Sequence, residues 1–99
     1  MTRNPQQTIV LGQVEACGPA AAFTLCAMRN ELFGGIAVNV EPFDFEGRRI
    51  CATWRQCDGD VAVMDSGAGR MLSPGESREI AARAGILEAI EEHAAELKL

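Results

Sequence analysis

Tyrosine is absent, and tryptophan and histidine occur once each, as Trp54 and His93. One imidazole with no placed partner cannot be argued into a nucleophile–base pair, so no catalytic triad emerges. The four cysteines, at 17, 26, 51 and 57, lack the short gaps of a zinc knuckle or a redox motif. No metal site and no cofactor is therefore expected. No apolar run approaches the ~18–20 residues of a membrane span. The start Met1–Gln7 is polar, and Ile9, Val10 and Leu11 are too short a run for a signal-peptide core. These absences read as a cytoplasmic protein with reduced thiols and no membrane role. Internal repeats and low-complexity tracts are missing too.

Positive charge is also scarce. Nine Lys and Arg face fourteen Asp and Glu, giving a net charge of −5, which disfavours broad nucleic-acid binding. The excess is uneven: residues 73–99 hold six acids against three bases, and residues 1–72 hold eight against six. An apolar content of 47% over 99 residues suits one domain with one core. The expected organisation is a flexible tail over 1–7 and a single α+β domain over 8–99.

The clearest local pattern is Ser73–Leu99. Ser73-Pro74-Gly75-Glu76 has the form of a capping box, with proline at the first helical position. Ile80, Ala84, Leu87, Ile90, Ala94 and Leu97 then recur at steps of three and four, one stripe along a long helix. Gly85 costs ~1 kcal/mol inside that helix; it marks either a close approach to the sheet or a kink or split.

Upstream, Thr8–Val14 reads as a strand. Gly18-Pro19 opens an alanine-rich stretch closed by Gly34-Gly35, and the spacing predicts a helix over 20–33. The competing reading makes Ala21–Met28 a strand paired with Thr8–Val14 across Cys17–Ala20. Ile36–Val40 alternates as a strand, and Pro42 predicts a bulge or an edge position. Phe43 and Phe45 lead into a tight turn at Glu46-Gly47. Arg49–Gln56 and Val61–Met64 flank Asp58-Gly59, a two-residue hairpin signal that sets Trp54 opposite Val63 and Thr53 opposite Met64. Ile50, Ala52, Trp54, Val61 and Val63 then share one face, the floor for the helix, with Phe43 joining it opposite Ile50. Arg49, Cys51, Thr53, Arg55 and Ala62 share the other. The expected fold is α+β: an antiparallel three- to five-stranded meander covered by a long C-terminal helix, with a second helix near the N-terminus.

Among motifs that carry chemistry, Val61–Gly69 is the sharpest. An apolar strand running into Asp65-Ser66-Gly67-Ala68 resembles the catalytic loop of retroviral-type aspartic proteases, where a dimer brings two such aspartates together to share a proton. The resemblance implies Asp65 as the catalytic candidate. It spans about five residues, and the long β region that should follow is replaced by helix pattern. The same residues are similar to the Asp-Ser-Gly-x-Gly loop of amino-acid racemases, whose paired catalytic cysteines find no matching context here. Aspartate, serine and glycine ending a strand also make an ordinary turn. Ser66, Gly67, Gly69 and Arg70, just before the helix start, are candidates for holding an anion, although Glu76 and Glu79 oppose it.

Arg48, Arg49 and Arg55 mark the hairpin as an RNA candidate, without the aromatics that stack bases; two-residue pairing around Glu46-Gly47 instead sets Arg49 against Asp44. Glu88, Glu91, Glu92 and Glu96 run against the helix dipole and form either a solvated face or a docking surface for a basic partner. Cys17 and Cys26 read as packing residues, Cys51 and Cys57 as outer-face thiols. The expectation that best fits is a non-enzymatic domain acting by protein–protein binding or self-association, with a homodimer or a protein partner. A ligand-binding or hydrolytic domain using Asp65 is the alternative, and RNA binding the weaker one.

Overall fold

The computed structural model describes residues 8–30 and 35–99. Period-two alternation governs most of its first two thirds. In β1 (Thr8–Cys17), β2 (Ala22–Asn30), β3 (Ile36–Phe45), β4 (Arg48–Arg55), β5 (Val61–Asp65) and β6 (Arg70–Met71) every strand pairs antiparallel with the next, giving one sheet in sequence order. α1 (Pro74–Arg83), α2 (Ile86–Glu92) and α3 (Ala94–Leu97) follow and cover one face. The buried residues Phe23, Leu25, Val38, Val40, Phe43, Ile50, Ala52 and Val63 line that covered face and meet Ile80, Ile86, Ile90 and Leu97 from the helices.

Three expectations about this architecture are corrected, the first being the strand count, since the sheet has six strands and not three to five. No helix occupies the described part of 20–33; β2 does, paired with β1 from Cys17↔Ala22 to Thr8↔Asn30. The alanines carry helix propensity, but Phe23, Leu25 and Ala27 alternate into the core, and burial of that face outweighs a few tenths of a kcal/mol per residue. Residues 31–34, at the end of the expected helix, and the expected tail over 1–7 lie outside the described residues.

The long C-terminal helix is likewise three short ones. Gly85 takes φ +79° and serves both as the exit of α1 and the N-cap of α2, and the chain breaks again at His93. A helix residue at φ +79° has no place in a continuous rod. The break is where the β1–β2 turn seats: a Cβ on Gly85 would lie 2.8 Å from Pro19 Cδ, and one on Gly18 would strike the Ala84 carbonyl. At the far end, α3 presses its backbone onto β1 at Gly12, where a Cβ would strike the Glu96 carbonyl oxygen.

The predicted start of α1 is present. Ser73 Oγ accepts the Glu76 N–H at 3.2 Å, and the Glu76 carboxylate takes the Ser73 hydroxyl proton at 3.1 Å instead of reaching the cap's backbone. Pro42 sits in a bulge between Val40 and Phe43, and Phe43 pairs with Ile50. The Asp58-Gly59 hairpin is longer than expected. Arg55 N–H donates to Asp60 and Gly59 N–H to Arg55, so residues 56–59 form the loop. Trp54 therefore pairs with Val61, and Ala52 with Val63. The slip is two residues, an even number, so both faces keep their side chains.

Candidate functional site

Asp65 ends β5 opposite Ile50 and Arg70. Its Oδ1 accepts the Ala68 N–H at 3.0 Å, which closes the turn into β6. Ser66 donates both its N–H (2.9 Å) and its hydroxyl (3.1 Å) to the Arg49 carbonyl. Gly69 supplies the turn's left-handed residue at φ +66°. Asp65 is thus turned onto the loop's own backbone and Ser66 onto the β4 backbone. Among the described residues no group of three or more His, Cys, Asp or Glu side chains converges to hold a metal.

The three hairpin arginines are dispersed. Arg49 pairs with Asp44 at 3.1 Å, as the turn at Glu46-Gly47 requires. Arg55 sits at the other end of β4, roughly 20 Å away at strand rise, and pairs with Asp58 at 3.1 Å and Asp60 at 3.7 Å. The Asp60 N–H and the Arg55 guanidinium together lower the Asp58 pKa, and the hydrogen bond to Asp58 raises that of Arg55. Arg48 lies on the covered side, in a cleft with Glu76, Glu79 and Arg83.

Sequence reading missed the ion pair that ties this turn to the helices. Arg83 grips both carboxylate oxygens of Glu46, at 2.7 and 3.0 Å. The hydrogen bonds from Arg83 hold the Glu46 pKa below its ordinary value. No local pattern marks a contact between residues 37 positions apart.

Cysteine placement needs correction. Cys17 is exposed at the end of β1, Cys57 is exposed in the hairpin loop, and Cys26 and Cys51 are half-buried. Cys26 does not pack in the core: it stands opposite Asn39, on the face away from the helices.

That outer face is the molecule's broad uncovered surface. At its centre, across β2 to β5, it presents Thr24, Cys26, Met28, Ala37, Asn39, Cys51, Thr53, Ala62 and Met64, all half-buried and none charged, with Asp44, Arg49 and Arg55 on the same face toward the strand ends. Its polar centre is self-satisfied, with the Thr53 hydroxyl donating to Asn39 at 2.9 Å. Val10 and Met71, the exposed large apolar residues, stand on its two edge strands. The solvated face of an antiparallel sheet is ordinarily polar. In a chain that is 23% charged, nine neighbouring uncharged positions are anomalous. In the sequence Cys51, Thr53 and Ala62 already fall on this face between Arg49 and Arg55, but β2's share of it was hidden by the helix pattern over 20–33.

On the covered side, Trp54, Leu87, Ile90, Glu91, Ala94 and Leu99 line an open groove of about 430 Å³. Glu88 and Glu92 adjoin it beside Glu91, while Glu96 bonds to His93 Nδ1 at 2.9 Å. Of the four acidic candidates only Glu91 lines the groove; Glu88 and Glu92 stand next to it on α2 and also border the cleft against the Cys17-Gly18-Pro19 turn.

Fold and surfaces together define an open-faced antiparallel meander with helices on one side. Compared with protein-family models, curated protein sequences and solved structures, the chain finds no significant match. No helix among the described residues is long and apolar enough to cross a membrane.

Proposed function

We propose that the protein acts by binding proteins, and that its uncovered sheet face takes a second copy of the chain. The observation that carries this reading is the uncharged centre of the outer face of β2–β5; contiguous surface of this kind marks interaction sites. A second copy fits for two reasons. The arginine charges on this face are already neutralised within the chain, Arg49 by Asp44 and Arg55 by Asp58. Among the described residues this leaves Glu15 and Glu41 as the acids without an ion pair at its margins, so a two-fold copy meets few like charges there. The nine uncharged positions span four strands by up to five residues, roughly 19 Å by 17 Å or about 300 Å² at standard spacings, the centre of an interface whose remaining area comes from the flanking strands.

Light scattering at high micromolar concentration tests the reading. Twice the chain mass is expected, reverting to one chain in Met28→Lys/Met64→Lys with the folded spectrum kept. A strict wild-type monomer overturns it. Asp65 chemistry gains no support from the loop geometry, because one carboxylate oxygen closes the turn.

A further inference from the structure

The covered face of the sheet is not fully roofed. Trp54 stands on the core side, between Val38 and Val61, yet it remains half-buried, as do Leu87 and Leu99 across the groove. Apolar carbon therefore meets water along a trough with room for a few side chains. Its acidic flank is uncompensated. Among the described residues Glu88, Glu91 and Glu92 make no ion pair, whereas Asp44, Glu46, Asp58, Asp60 and Glu79 each face an arginine.

We propose that this groove docks a basic amphipathic helix of a protein partner, with apolar residues seated against Trp54, Leu87 and Leu99, Lys or Arg opposite Glu91, and further cations drawn by the neighbouring Glu88 and Glu92. A helix laid in a groove presents apolar anchors every three to four residues and cations along its flanks, the pattern this surface complements. A second copy is a poor occupant, since its own helical surface is acidic here and repels. An anionic membrane is repelled for the same reason. The inference rests on the helical side of the molecule and holds whether or not the opposite face dimerises.

Trp54 is the single tryptophan, so its emission reports the groove without a label. A synthetic amphipathic peptide of leucine and lysine is titrated into the full chain, beside a leucine–glutamate counterpart. The lysine peptide is expected to give a saturable blue shift, and the glutamate peptide none. The variant Glu88→Lys/Glu91→Lys/Glu92→Lys alters exposed positions only, and should bind at least about tenfold more weakly. Four outcomes overturn the proposal. They are no shift with the lysine peptide, equal binding of the acidic peptide, equal affinity in the charge-reversed variant, and a shift with protein concentration alone, which assigns the groove to a second copy.

Discussion

Ser77 is the buried polar side chain of the core, with 1% of its surface exposed, and its Oγ accepts the Val63 N–H at 3.0 Å. β6 is two residues long, and its Leu72 neighbour takes only the Val63 carbonyl. The helix serine thus completes a strand edge that the sheet leaves unpaired. Ser77→Ala orphans a buried N–H, at a cost of ~1–3 kcal/mol. In urea, the unfolding midpoint should fall by on the order of 1 M with an unchanged slope; an unmoved midpoint would show that water replaces the hydroxyl. At Gly85 the cost is steric. Gly85→Ala meets both φ +79° and a Pro19 contact at 2.8 Å, and should destabilise by about 1–3 kcal/mol. Thermal unfolding checks it, and a melting temperature at or above wild type would refute the reading. Of these residues, only the glycine was legible in sequence, as a disturbance in a helix pattern. Ser77 carries no local sequence signal, since its partner is a strand backbone atom 14 residues away.

At the scale of elements, the β3–β4 turn and the end of α1 are joined by Glu46 and Arg83. Glu46 holds φ +50° in the turn, a conformation more natural to Asn or Gly, while its carboxylate reaches the helix. The folded-state pKa of Glu46 lies below its ordinary 4.5. Its contribution to stability is therefore complete above about that pH and disappears as pH falls through the lowered folded value. Wild type should melt above Glu46→Gln at neutral pH, with the gap closing on acidification below 4.5. A gap independent of pH would mean that the turn's backbone, not the carboxylate, sets the difference. The β4 register teaches a related lesson. Asp58-Gly59 correctly marked a turn, but Asp58 spends its carboxylate on the Asp60 N–H and the Arg55 guanidinium, which stabilises a four-residue loop.

For the whole molecule, the two surfaces respond oppositely to salt. Two chains of net charge −5 repel as they approach, so added salt should strengthen sheet-face dimerisation through screening. Docking of a cationic helix against Glu88, Glu91 and Glu92 should weaken over the same range. Sedimentation and Trp54 titrations at low and high ionic strength separate them; salt-independence in both would remove charge from the account of either surface.

Sequence alone determined the faces. Period-two alternation in β3, β4 and β5 assigned inner and outer side chains correctly even where the register was two residues out, because a strand's faces depend on parity alone. It also determined the α1 cap and the Arg49–Asp44 pair, whose partners lie within a few residues. Tertiary structure decided the identity of β2 and the division of the C-terminal helix. Alanine-rich 22–30 is locally a tolerable helix; pairing on both edges and burial of Phe23, Leu25 and Ala27 make it a strand. The apolar stripe from Ile80 to Leu97 is locally a tolerable rod. The Gly18-Pro19 turn pressing on Gly85, and α3 closing onto Gly12, bend it around the sheet, because contacts between distant segments outweigh the local preference of either.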